Sequence, residues 1–254
     1  MGVPQPAVWG PIEVTPGDVA CFGRGIDVDD LRPHPLYVAK VLIPGSAQIL
    51  VSPALQTRVD RIVHAGLELS FRGPVRLGHA LTCHARLDSV EDKGSGRLIA
   101  IGVRICDDEA TICEGVTRYF ERGEKRGGRS EAAEGLSGGE VRVIPTHPDQ
   151  SLRYAEGSGD RFPIHTDDAF ARRVGLPGKI MHGMCTLALS VEGAVDDAHA
   201  LRALSCRFAN ILLPGEAITL QRCVSDTGCR FEARRPDGQV VIRDGVCVVE
   251  PRAR

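Results

Sequence analysis

The alternation of apolar and polar residues sets the outline of the chain. Residues 62–71, 80–88, 98–106 and 110–120 alternate closely enough to predict strands. Arg72-Gly73-Pro74, Lys93-Gly94-Ser95-Gly96 and Asp107-Asp108-Glu109 separate them as turns and hairpin connectors. Before them, Val38, Val41, Leu42, Ala47, Ile49 and Leu50 fall at helical spacing within 36–55. Pro44-Gly45 interrupts that stretch, so a break there is the alternative. Residues 1–14, with their prolines and glycines, are expected to drape over the surface, and Val14-Thr15-Pro16-Gly17-Asp18 to turn into the first ordered element.

The plan then repeats. A short helix is predicted over 168–174, with Thr166 as N-cap and Gly175 after its end. A longer helix over 183–195 carries an apolar stripe of Met184, Leu187, Ala188 and Val191. Strands follow at 201–211, 217–224, 230–234 and 239–249, the last two joined by Pro236-Asp237-Gly238. Phe71 and Phe208, and Gly78 and Gly215, stand 137 positions apart (208 − 71 and 215 − 78). The reading is therefore an α+β chain of two repeats, each an antiparallel sheet wrapped around a central helix. Between them, residues 121–140 are Gly-rich and charged and lack large apolar side chains, so they cannot bury enough surface to offset ordering entropy. The predicted division is 1–122, a flexible linker over 123–144, and 145–254.

Bulk properties remove several functions. The 254 residues are 43% hydrophobic and 25% charged, an ordinary globular composition. A net charge of −2 supplies no cationic field for nucleic acid or anionic lipid, and 4% aromatics leaves little for base stacking. Nine cysteines without a CxxC pair read as buried thiols of a reducing compartment. The start has no basic and apolar leader pattern, and no apolar run reaches bilayer length, so a cytoplasmic protein is expected.

The chemistry concentrates in Gly159-Asp160-Arg161-Phe162-Pro163-Ile164-His165, followed by His182-Gly183-Met184. Pro163 fixes its own φ and holds Phe162 extended, so the segment reads as a turn and not a helical repeat. Such a turn can aim Asp160 and His165 into one cavity. A carboxylate, an imidazole and a helix N-terminus are the parts needed to add or remove water beside an activated carbonyl. His165, Asp167 and Asp168 offer metal-ligand chemistry, but no second histidine cluster accompanies them, and the site reads as metal-free.

The full string from Tyr154 through Ser158-Gly159-Asp160, Pro163-Ile164-His165 and Asp167, then Gly175 and Ile180-Met181-His182-Gly183-Met184, resembles the MaoC-like hydratase/dehydratase family. The family's usual form is Y-x3-SGD-x-NPIH-x-D followed by G-x4-I-x-HGM. This resemblance implies a double hotdog fold and the activity of an R-specific (type 2) enoyl-CoA hydratase or 3-hydroxyacyl-thioester dehydratase, without cofactor. It implies that Asp160 and His165 hold and activate water, and that the Gly183 N–H meets the thioester oxygen. His182, Met184, Arg161 and Lys179 follow as weaker substrate-binding candidates. Phe162 stands where the family usually has Asn, which leaves substrate range open.

The first half lacks the Gly-Asp-x2-Pro-Ile-His string of the second. Pro33-His34-Pro35 and His64-Ala65-Gly66 are its nearest fragments, and it reads as a non-catalytic half that shapes the acyl tunnel, with His64 in its lining. The expected partner is an acyl-CoA or acyl-carrier-protein thioester, with a homodimer as a further expectation and no role for nucleic acid or membrane insertion. The alternatives are a hotdog thioester hydrolase and a non-catalytic acyl-thioester binder.

Overall fold

The structure is a computed structural model that describes residues 2–108, 110–123, 135–192 and 199–251. Its strands are Ala7–Glu13 (β1), Ile62–Phe71 (β2), Ala80–Asp92 (β3), Gly96–Asp107 (β4), Ala110–Arg122 (β5), Glu140–Ile144 (β6), His199–Phe208 (β7), Ile218–Ser225 (β8), Gly228–Arg234 (β9) and Val240–Pro251 (β10). They form one sheet in the order β1-β3-β4-β5-β2-β7-β10-β9-β8-β6. Every pairing in it is antiparallel. Read outward from its centre, each half has the same sequence of strands. The halves join where β2 pairs β7, from Gly66↔Arg207 to Ser70↔Ala203. Gly78 and Gly215 both sit in the left-handed region, at φ 76° and 89°, a turn conformation that disfavours side chains.

The helices are Pro16–Gly25 (α1), Ala39–Leu50 (α2), Gln150–Ser158 (α3), Pro163–Thr166 (α4), Asp168–Arg173 (α5) and Gly183–Val191 (α6). Helix α2 packs on β1, β3 and β4. Period-two alternation turns Ile99, Ile101, Val103 and Ile105 of β4 to one buried face, beside Leu81 and Cys83 of β3. Pro44 lies inside α2 without breaking it. Tertiary packing overrides the local signal here: a Cβ on Gly45 would stand 2.8 Å from Cys83 Sγ, so glycine lets the helix sit directly on the sheet. Helix α6 is buried from Met184 through Val191, not along a stripe alone.

Several expectations need correction. Residues 7–13 are not surface drape; they pair with β3 as an edge strand. Thr15 does open an element, its Oγ1 accepting from the Asp18 N–H at 3.1 Å as the N-cap of α1, a contact worth about 1 kcal/mol. Half of the expected linker, residues 124–134, lies outside the described residues. Its last five positions are strand β6, paired from Glu140↔Arg222 to Ile144↔Ile218, because Val141, Val143 and Ile144 supply β-branched residues after the glycines. Asp167, not Thr166, caps α5, its carboxylate accepting from the N–H groups of Ala169 (2.7 Å) and Phe170 (2.9 Å). Helix α6 ends at Val191, and residues 193–198 lie outside the described residues. No helix among the described residues is long and apolar enough to cross a membrane.

Candidate active site

Local chemistry builds the turn that carries Asp160. Helix α3 stops at Gly159, which takes the left-handed conformation (φ 78°) and turns the chain sharply. The Asp160 N–H then donates to Ser158 Oγ (3.2 Å), and Asp160 Oδ1 accepts from the Phe162 N–H (3.2 Å). Pro163 occupies the first position of α4, where its missing N–H costs nothing. The turn read from sequence thus continues into a single helical turn, which carries His165. A strap from Lys179 to Met181 closes over it: Ile180 N–H donates to Ile164 C=O (3.0 Å) and Met181 N–H to Leu212 C=O (2.8 Å).

Asp160, His165 and His182 each bring a carboxylate oxygen or ring nitrogen within 4.8 Å of the others. His165 Nδ1 lies 2.9 Å from the Ile180 carbonyl oxygen, and a carbonyl only accepts, so Nδ1 carries the hydrogen. Burial holds the His165 pKa below the ordinary histidine value, against the opposing pull of the Asp160 charge. A neutral His165 with hydrogen on Nδ1 leaves Nε2 as a proton acceptor. His182, 2% exposed, likewise donates from Nε2 to the Asp160 main-chain oxygen (2.9 Å) and stacks on His165 with ring centroids 3.8 Å apart. Near-parallel rings at that spacing cannot aim both in-plane lone pairs at one ion, so this trio is poorly shaped to hold a metal.

A cavity of about 460 Å³ takes in Asp160, His165, His182, Gly183 and Met184 from the second half. Gly183 is the first residue of α6, where backbone N–H groups have no intrahelical partner and the helix dipole favours negative charge. The Phe208 ring covers it so closely that a Cβ on Gly183 would lie 3.1 Å from the ring. From the first half, α2 contributes Pro44, Ala47 and Leu50, and β2 contributes Ile62 and His64. A depression of about 550 Å³ beside α1 and α3 is larger, but its mixed-charge lining shares no residue with this cavity.

The remaining sequence candidates separate. Arg161 is exposed and lines the cavity. Lys179 does not line it: its N–H and its ammonium both turn to Asp168, at 2.8 and 3.3 Å. Phe162 packs edge-on against Phe170, with Arg173 over the Phe170 ring, so an aromatic contact covers the turn where the motif usually has a polar one. Sequence reading did not single out Tyr119, and it named Phe208 only as a repeat position and Ile180 only within the motif string, neither with a role at the site. Tyr119 of β5 stacks on His64 at 4.9 Å, and His64 in turn meets Phe208 at 4.8 Å. The 137-residue repeat pointed to the Phe208 position, but nothing local marked its contact with Gly183.

A model of the MaoC like domain matches residues 132–241, and one of the FAS1-like, dehydratase domain region matches residues 30–114. The matched stretch 132–241 takes in the Asp160–His165 turn and Gly183, so the part of the chain that carries the site is similar to the MaoC like domain. The chain is 29% identical to the enoyl-CoA hydratase ChsH3 of Mycobacterium tuberculosis, over 66% of this chain and 63% of that protein. It is 27% identical to the peroxisomal multifunctional enzyme type 2 of Mus musculus, over 78% of this chain and 29% of the other. A third relative, the 3-hydroxyacyl-thioester dehydratase Y of Mycobacterium tuberculosis, is 28% identical over 72% of this chain and 71% of its own. The chain therefore spans less than two thirds of the first two of these relatives. Among solved structures, HtdX of Mycobacterium tuberculosis superposes with a TM-score of 0.79 at 18% identity, over 98% of this chain and 100% of that one. Another protein of that organism, described as a double hotdog, superposes with a TM-score of 0.66 at 12% identity, over 98% and 96%. The chain is a double hotdog.

Proposed function

We propose that this MaoC-like protein is a hydro-lyase that reversibly hydrates (2E)-enoyl thioesters to (3R)-3-hydroxyacyl thioesters. The observation that carries the reading is the approach of the Asp160 carboxylate and the His165 imidazole, within 4.8 Å, on a cavity that also holds the N-terminus of α6. The names of the similar hydratases and dehydratases support it.

In the hydration direction, the thioester oxygen lies at the Gly183 N–H, which stabilises the negative charge that develops as C3 is attacked. Asp160 and His165 hold the water between them. One proton leaves that water toward the pair, and one reaches C2. Because the pair is coupled, the two protons belong to it jointly and not to one residue each. His165 Nε2 is available to take part because its Nδ1–H is tied to Ile180. The acyl chain extends along Ala47 and Leu50 of α2, which makes the first half its binding wall. Arg161 at the exposed side of the cavity suits a phosphate of CoA or of a carrier protein. Lys179 fits that role poorly because Asp168 holds it. The nine cysteines are free thiols, in keeping with the cytoplasm, and a homodimer remains part of the proposal.

Asp160→Asn and His165→Ala should each lower the rate at least ~10²-fold, followed as loss of the conjugated enoyl absorbance. Wild-type rates in both variants would discard the assignment. Thiol release from the same enoyl-CoA, without a hydroxyacyl product, would replace hydration by thioester hydrolysis.

A further inference from the structure

His182 makes contacts that neither substrate binding nor helix capping explains. Its side chain is 2% exposed, and as N-cap residue of α6 it makes no side-chain bond to the helix backbone. Instead Nε2–H donates across the chain to the Asp160 carbonyl (2.9 Å), one ring face covers His165 (3.8 Å, 23°), and Tyr154 of α3 meets the ring at 4.9 Å. Its Nδ1 is buried without a hydrogen-bond partner. One imidazole thus ties together three separate pieces: the turn bearing Asp160, the helix bearing His165, and the glycine that begins α6.

We propose that His182 is a positioning residue that fixes the distance between the acid–base pair and the Gly183 N–H and keeps water off the covered face of His165. The titratable groups around it are Asp160 on the turn, His165 on α4 and Tyr154 on α3. Burial and the neighbouring His165 push its own pKa well down, so it stays neutral while His165 exchanges protons. Protonating it would put an unpaired N–H in a dry slot and a second positive charge against His165. The stack also adds to the burial that lowers the His165 pKa. An imidazole is therefore used as a spacer with one donor, and the orphaned Nδ1 is what that use leaves behind.

Two substitutions separate the tether from the stack. His182→Phe keeps a ring against His165 and loses the N–H to Asp160; kcat should fall on the order of 10²-fold with KM little changed, because a displacement of about 1 Å misplaces the pair. His182→Gln keeps a donor and loses the stack, so water reaches His165. Its pKa rises, and the acid limb of kcat/KM against pH moves to higher pH. Wild-type kinetics in both, or a uniform loss with the limb unmoved in the Gln variant, would overturn the proposal.

The kinetic arm rests on the hydratase reading; a second arm does not. Imidazole nitrogen NMR of the wild-type protein should show His182 neutral, with hydrogen on Nε2, from pH 5 to 8, and His165 with hydrogen on Nδ1. A His182 that protonates in that range, or carries its hydrogen on Nδ1, would contradict the proposal whatever the enzyme's reaction. This arm also stands if a variant fails to fold.

Discussion

The two halves share a strand order and a central helix, yet they spend the same chemistry differently. Ahead of α2 the first half also has a carboxylate and an imidazole close in sequence, Asp30 and His34. Asp30 is consumed by Arg32, accepting from its N–H (2.9 Å) and its guanidinium. His34 turns its Nδ1 lone pair to the Leu36 N–H (3.0 Å) and lies over Phe22, and burial pushes its pKa down to about 4. Ahead of α6, the main-chain carbonyl of Ile180 takes the Nδ1–H of His165 instead, and Nε2 is left for the cavity. The central helices diverge to match. Helix α2 contributes cavity wall, whereas α6 contributes the glycine at its own start. An acid and an imidazole near a helix start are not enough; what decides is which atoms the fold leaves uncommitted.

The comparison can be broken most sharply by exchanging roles. Asp160→Asn and His165→Ala lose at least ~10²-fold in rate, whereas Asp30→Asn and His34→Ala stay within about threefold of wild type. Comparable losses from both pairs, with folding intact by circular dichroism, would erase the distinction drawn between the halves.

Next in size is Gly183→Ala. The added methyl meets the Phe208 ring at 3.1 Å, and it narrows the approach to the N–H. We expect kcat/KM to fall ~10-fold or more, with a stability cost of about 1–3 kcal/mol for the overpacked contact. A thermal shift without a change in kcat/KM would leave the glycine as packing alone.

A smaller effect tests the wall in the first half. Ala47→Phe should raise KM for long enoyl chains by roughly tenfold and leave the shortest esters little changed. An equal effect at every chain length would place the acyl group elsewhere.

The smallest effect is a pH dependence. Burial lowers the pKa of His64, like that of His34, to about 4. Once the chain unfolds, these imidazoles regain an ordinary value of about 6.5. Stability is therefore full above that value and declines as pH falls toward 4, because the unfolded chain binds protons that the native one refuses. His64→Gln should lose fewer degrees of Tm than wild type between pH 7.5 and 5. An identical loss would mean that His64 does not contribute to the slope.

The parts of this molecule that were legible in sequence are the local ones. Strands β2 to β5 show their alternation, and the Asp160–His165 turn is written in consecutive residues with Pro163 to hold it. The parts that were not legible depend on distant partners. Strand β1 looks like loop because of Pro6, Gly10 and Pro11, and only β3 makes it a strand. Helices α1 and α3 carry glycines that argue against helix, yet Gly157 lets α3 approach Phe22 of α1, where a Cβ would stand 2.5 Å from the Phe22 backbone. His182 was visible as part of a motif, but its stack on His165, seventeen positions away, belongs to the folded chain alone.

The most direct test of the central claim is to run the purified protein on a (2E)-enoyl-CoA in ¹⁸O-labelled water and locate the label. Water activated by Asp160 and His165 should put ¹⁸O in the C3 hydroxyl of an intact (3R)-3-hydroxyacyl thioester, and Asp160→Asn should abolish that product. Label in a free carboxylate with thiol release, or no labelled product at all, would contradict it.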